Sequence, residues 1–205
     1  MNGIFWQELK TGWKPFILWT LGLAVLVMAG MYKFKGFSEA SGVSINDLFA
    51  QFPQVILAML GMANADIQTL PGYYAVIGTY VLVLTSVYAI QLGAHAVSRE
   101  MIDKTYEFVF TKPCGRSSIL GGKISCGLLY LAVFCVMEMV FSYAAIAAYQ
   151  LGELNSTIWL YALNSFLVGL VFFSCAVAFS AFFDRSEMGM KVSNACFILA
   201  YILSV

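Results

Sequence analysis

One carboxylate, Glu138, stands in the middle of a long apolar run, surrounded in sequence by Phe134, Val136, Met137, Met139 and Val140. If that run crosses a bilayer, a charge at this depth costs about 2.5 to 3.5 kcal/mol on insertion scales and by default marks a functional position facing the interior of a helix bundle. Helical spacing sets Glu138, Ser142 and Ala145 on one face, where they would line an interface between helices. The competing reading is structural, a protonated carboxyl hydrogen-bonded to a neighbouring helix. Glu138 is therefore a candidate intramembrane polar site.

The remaining reactive residue types exclude more than they support. His95 is the only histidine, and a catalytic zinc takes three protein ligands. It lies at the end of an apolar run, near one face with Thr85 and Tyr88 and with Gln91 nearby. An interfacial histidine explains it better than a proton relay. Cys114, Cys126, Cys135, Cys175 and Cys196 form an odd set without a CxxC pair, and four of them fall in apolar runs where cysteine acts as a small hydrophobe. Gly122-Lys123 is the nearest approach to a phosphate-cradling loop, but Ser117 and Ile124 stand where that loop needs Gly and Ser or Thr. No catalytic residue, metal site or nucleotide site is expected in this chain.

The elements that must position these residues follow from hydropathy. Of the 205 residues, 61% are hydrophobic and 11% charged, against roughly 25% charged in soluble domains. The mean hydropathy is +0.83. Such a chain lacks the polar surface to cover a water-facing globule. Eleven basic residues balance eleven acidic ones, which excludes nucleic acid as a partner, since phosphate binding needs a basic surplus. Membrane lipid is the natural surrounding. Apolar runs of about 18 or more residues mark spanning helices. They fall at 13–32, 73–97, 124–151 and 158–183, and a fifth run, 192–205, stops after fourteen residues. At about 1.5 Å per residue that run is short of a core about 30 Å thick, so it reads as an incomplete fifth span. The first run is too long for a signal peptide and has no A-x-A-like cleavage site after it, so it reads as an uncleaved anchor. The expected fold is all-α, a single polytopic transmembrane bundle over residues 1–205.

Orientation comes from the basic residues between spans. With the N-terminus inside, Lys10, Lys14, Arg99, Lys104, Lys112, Arg116, Lys123, Arg185 and Lys191 fall on the inner side, and only Lys33 and Lys35 on the outer. Phe5, Leu9 and Trp13 recur at i, i+4 and i+8 with Trp6 beside them, which predicts a short interfacial helix before the first span. Residues 45–62 are apolar but broken by Pro53, and predict an outer-face helical hairpin. Trp and Tyr near span ends (Trp13, Tyr32, Tyr73, Tyr149 and Trp159 among them) form an interfacial belt. Ser165 and Gly169 make a small-xxx-small pair for close helix packing.

The inner segment 98–123 is the most informative. Met101, Thr105 and Phe108 mark one helical face, joined by Ile102, Tyr106 and Val109, while Glu100, Asp103, Lys104 and Glu107 lie mostly opposite. Pro113 and Gly115 end the helix. An amphipathic helix held at the inner membrane surface by two long spans can pass force from a cytoplasmic partner to them. On pattern alone a solvated connector fits as well.

This segment resembles the cytoplasmic loop of the ABC-2 (type-2 ABC exporter) permease family, roughly E-x-x-x-[GK]-T-x-E-[FL]-[LV]-x-[ST]-x-P-x-[ST]-R-x-x-[IL]-x-x-x-K. Glu100, Thr105, Glu107, Phe108, Val109, Thr111, Pro113, Arg116, Ile119 and Lys123 fall on that pattern, whereas Cys114 and Gly115 depart from its commoner Val-Ser. Phe52-Pro53, Leu60-Gly61, Pro71-Gly72-Tyr73 and Gly93-Ala94 are similar too, and the likeness covers about residues 1–183. The resemblance implies six spans, of which five would be represented here. It implies a non-catalytic permease subunit that works with an ABC ATPase subunit and a second permease, identical or not, with ATP and Mg bound by the ATPase. Glu100, Thr105, Glu107, Pro113, Arg116 and Lys123 would couple it to that partner. The location implied is a bacterial plasma membrane, multi-pass, with the N-terminus in the cytoplasm. A secondary transporter would show paired broken helices and repeat symmetry, and a polytopic membrane enzyme would need clustered ionisable residues, where only Glu138 is available.

Overall fold

A hydrocarbon solvent offers backbone amides no partner, so an apolar run must satisfy them within itself, as a helix does. The computed structural model describes the backbone of residues 2–39, 53, 57, 66–102, 116–183 and 188–204, and these residues contain helices and no strand. The helices are α1 (Asn2–Glu39), α2 (Leu70–Ile102), α3 (Arg116–Tyr149), α4 (Asn155–Phe182) and α5 (Met188–Ser204). Four of them are long and apolar enough to cross a membrane, and α5 is a shorter apolar helix. The predicted helical bundle is therefore observed, and each spanning helix begins before its apolar run, α2 and α4 by three residues and α1 and α3 by more.

Helix α2 is the hub. It packs against α1, α3, α4 and α5, most extensively against α4, while α1 lies chiefly along α3. Leu23, Val27 and Met31 of α1 meet Ile77 and Val81 of α2 and Phe134 of α3 in the main core cluster. Lipid is as apolar as leucine, so what draws these helices together is close packing and interhelical hydrogen bonding rather than exclusion from water. Small residues make that possible. A Cβ added at Gly93 of α2 would run into the Phe173 carbonyl oxygen of α4, so the two backbones touch there. Gly127 of α3 receives the Phe173 ring in the same way.

The ends are fixed locally. Thr69 precedes α2 and its hydroxyl oxygen accepts the Gly72 N–H at 3.3 Å, an N-cap bond. After α3, Gln150 has φ 54° and the Leu151 N–H reaches back to the Ile146 carbonyl at 3.2 Å, the closing bond of a Schellman turn.

Two expectations change. The N-terminal amphipathic segment is not a separate interfacial helix but the opening turns of α1, continuous through Pro15. The reason is lateral: Gly12 lets the Tyr130 ring sit against α1, and the Tyr130 hydroxyl donates to the Leu9 carbonyl at 2.5 Å. These contacts hold the segment upright along α3. The predicted outer hairpin lies outside the described residues except at Pro53 and Leu57, where the Leu57 N–H donates to the Pro53 carbonyl at 3.2 Å.

The bilayer's level can be read from aromatic pairs. Tyr32 and Tyr149 pack together, rings tilted, at one end of the α1–α3 pair with centroids 5.8 Å apart. Nineteen residues back along each helix stand Trp13 and Tyr130, which line one groove together. That spacing is about 28 Å of helix, close to the hydrocarbon thickness of about 30 Å.

Candidate functional site

Across the Trp13–Tyr130 level, α1, α2 and α3 splay enough to leave a cavity of about 240 Å³. Glu8 and Gly12 face it from α1, Tyr88, Gln91 and His95 from α2, and Lys123 from α3. Residues 88, 91 and 95 follow one another at helical spacing, which is why one face of α2 supplies three polar groups. Lys123 is only 6% exposed. Its Nζ lies 3.8 Å from the Glu8 carboxylate, tying the start of α3 to the start of α1. Trp19 donates its indole N–H to Gln91 Oε1 at 3.0 Å and braces α1 on α2. The Tyr88 hydroxyl is buried and has no hydrogen-bond partner among the described residues.

A second polar group sits in the middle of the bundle. Glu138 is 1% exposed and faces inward with Ser142 and Ala145, both fully buried. Ser165 of α4 donates to Glu138 Oε1 at 3.3 Å, and Glu138 Oε2 has no partner among the described residues. Ser142 donates to the Glu138 carbonyl at 2.8 Å, so the Tyr74 hydroxyl, 2.9 Å from Ser142 Oγ, is the donor in that second bond. The relay joins α2 to α3, and Ser165 joins α3 to α4. Gly169, one turn beyond Ser165, packs on Leu131 and Thr85.

The residues singled out from sequence are distributed unevenly. Glu100 lies in the last turn of α2 and Arg116 opens α3. Thr105, Glu107 and Pro113, and with them the expected amphipathic coupling helix, lie outside the described residues. Lys123 is described, and it points inward to Glu8 rather than outward. Sequence reasoning missed Glu8, Tyr88 and Gln91 as parts of one site. The available signal was Glu8 and Gly12 sharing a face of α1. Among the described residues no group of His, Cys, Asp and Glu is arranged to hold a metal.

An all-helical bundle whose described residues include four helices long and apolar enough to cross a membrane, with one carboxylate buried among them, defines a multi-pass membrane protein. A family model described as ABC-2 family transporter protein matches residues 3–204, and the chain belongs to that family. Neither the curated proteins nor the solved structures searched gave a match.

Proposed function

We propose that this chain is the permease subunit of an ATP-driven export system, working beside a separate ABC ATPase subunit and a second permease. The observation that carries the reading is the family match over residues 3–204, which contains the loop pattern from Glu100 to Lys123. ATP and Mg belong to the ATPase subunit. The N-terminus lies in the cytoplasm of a bacterial cell, and the segment between α2 and α3 meets the ATPase there.

Movement imposed on that segment reaches α2 at Ile102 and α3 at Arg116, the ends the helices present to it. From α3 it passes to α1 through Lys123 and Glu8, and through the Tyr130–Leu9 bond. Three spans are thereby linked to one loop. Co-purification with an ABC ATPase from the same cell tests the reading, with ATP hydrolysis measured in liposomes. Hydrolysis that rises when the permease is present supports it. Failure of every such ATPase to associate overturns it.

A further inference from the structure

We propose that the groove on the outside of the α1–α3 pair, at the end of the bundle where α1 begins, seats one phospholipid with an anionic headgroup. The inference goes beyond the export reading and does not depend on the ATPase pairing.

The groove measures about 440 Å³, and its lining is apolar except for Lys10. Tyr130 makes its floor. The Tyr130 hydroxyl reaches the Leu9 carbonyl, its ring lies against Gly12, and Phe16 packs beside it with ring centroids 5.2 Å apart. The floor is thereby drawn in between the helices while the walls stand out. Trp13 of α1 is 50% exposed, and Leu129 and Val133 of α3 are exposed on the opposite side. A concave apolar surface beside lipid is filled by a chain lying in it, because an empty gap forfeits the contacts of its lining.

Polarity changes along the groove in the order a phospholipid needs. Phe16 and Val133 each stand three residues deeper than the Trp13–Tyr130 level, about 4.5 Å into the hydrocarbon. Lys10 stands three residues the other way, at headgroup depth. Side chains on a helix lean toward its N-terminus, which carries the Lys10 ammonium further from the hydrocarbon. Lys10 is exposed and forms no ion pair among the described residues. Glu8, two residues away, does not share its face of the helix and is engaged by Lys123. Lys14, one turn on from Lys10, is also exposed and adds a second positive charge. An anionic headgroup over Lys10, with its acyl chain against Phe16 and Val133, satisfies both ends of the groove. A zwitterionic lipid brings its own cation to the same place and gains less. Inorganic phosphate would leave the apolar length empty.

The full chain in liposomes tests this through quenching of tryptophan fluorescence by phospholipids brominated high on one acyl chain. The part of the quenching lost in Trp13→Phe reports on the groove. Brominated phosphatidylglycerol is compared with brominated phosphatidylcholine, each diluted in unbrominated phosphatidylcholine. The Trp13 component should favour phosphatidylglycerol about fivefold, the contribution of one lysine at an anionic lipid surface. Lys10→Gln should remove that preference and Lys10→Arg should keep it. Both changes are at an exposed position, so the fold survives. Val133→Phe narrows the groove without touching a charge and should reduce the preference as well.

A preference that survives Lys10→Gln or Val133→Phe is diffuse attraction to the protein surface and overturns the proposal. Equal quenching by the two lipids in the parent overturns it too. So does a Trp13 shielded from both lipids, which would place a second copy of the chain over the groove.

Discussion

Lys123 of α3 and Glu8 of α1 form a largely buried ion pair, 3.8 Å apart, at the end of the bundle where α1 begins. Lys123 is the more enclosed partner, its side chain 5% exposed against 22% for Glu8. Removing either leaves the other in a poorly hydrated place. Loss of one partner of a fully buried pair costs about 3–5 kcal/mol, and the access of water to Glu8 brings the figure down to about 1–2 kcal/mol. Glu8→Gln and Lys123→Met should each lower the unfolding temperature in detergent. A double-mutant cycle should return a favourable coupling of about 1 kcal/mol. A coupling of zero would mean the two charges do not sense each other.

Two glycines of similar sequence setting should respond in opposite ways to alanine. At Gly93 a methyl group meets the Phe173 carbonyl of α4, a backbone atom that cannot swing aside. Gly93→Ala should push α2 from α4 and cost about 1–3 kcal/mol, as overpacking does. At Gly121 nothing lies within 4 Å of the added atom. Gly121→Ala should be neutral or stabilise α3 by up to about 1 kcal/mol through helix propensity. Thermal melts of the two variants check the contrast, and equal effects would refute the packing at Gly93.

The spans were legible because length and hydropathy alone decide whether a run can cross a bilayer. Which face of each span is buried was legible only where polar or small residues mark it, as at Glu138, Ser142 and Ala145 of α3, because lipid and protein interior are equally apolar. The buried stripe of α4, Ile158, Ala162, Ser165, Gly169, Phe173, Ala176 and Ser180, is marked by small residues rather than by greasier ones. Ser165 and Gly169 were the part of it that spacing could expose. Amphipathicity misled at the N-terminus, where Phe5, Leu9 and Trp13 spell an interfacial helix. The contacts that make this segment part of α1 come from Tyr130 and Lys123, far along the chain, and no local pattern encodes them. The inner cavity was invisible for the same reason, since its walls come from three helices.

The orientation proposed from the basic residues predicts asymmetric labelling. In a background without native cysteines, Ser44→Cys should react with an impermeant maleimide applied to intact cells, and Ser117→Cys should react only after permeabilisation. The reverse pattern would invert the topology and remove the cytoplasmic docking loop with it.

Glu138 tests whether a buried carboxylate here is structural. Gln keeps the shape, and its Oε1 can still accept the Ser165 hydroxyl, which now stands 3.3 Å away. Glu138→Gln should therefore assemble and transport as the parent does. Glu138→Leu leaves Ser165 without this acceptor and should cost about 1–3 kcal/mol of stability. Transport lost in Glu138→Gln with assembly intact would assign the carboxylate a working role.

The segment from Glu100 to Lys123 bears the functional proposal, and its charges can be reversed without touching the spans. Glu100 sits in the last turn of α2, and Glu107 follows in the stretch between α2 and α3. Opposite a basic ATPase surface, each carboxylate would form an interfacial charge pair. Truncating one partner of such a pair costs about 2 to 5 kcal/mol when it is buried and much less at an exposed rim. Reversal replaces attraction by repulsion, so the double variant Glu100→Lys, Glu107→Lys should lose at least tenfold in ATPase affinity. Insertion should be unaffected, because both residues follow in sequence the hydrophobic span that ends at Ser98. Lys123 should behave differently: buried against Glu8, it should contribute to the linkage between α3 and α1 rather than to docking. Lys123→Met should therefore keep ATPase binding and weaken the transport gained per ATP hydrolysed. Pull-down of the ATPase and the ratio of transport to hydrolysis in liposomes separate the two effects. Normal recruitment and normal coupling in the charge-reversed double variant would reduce the segment to a connector.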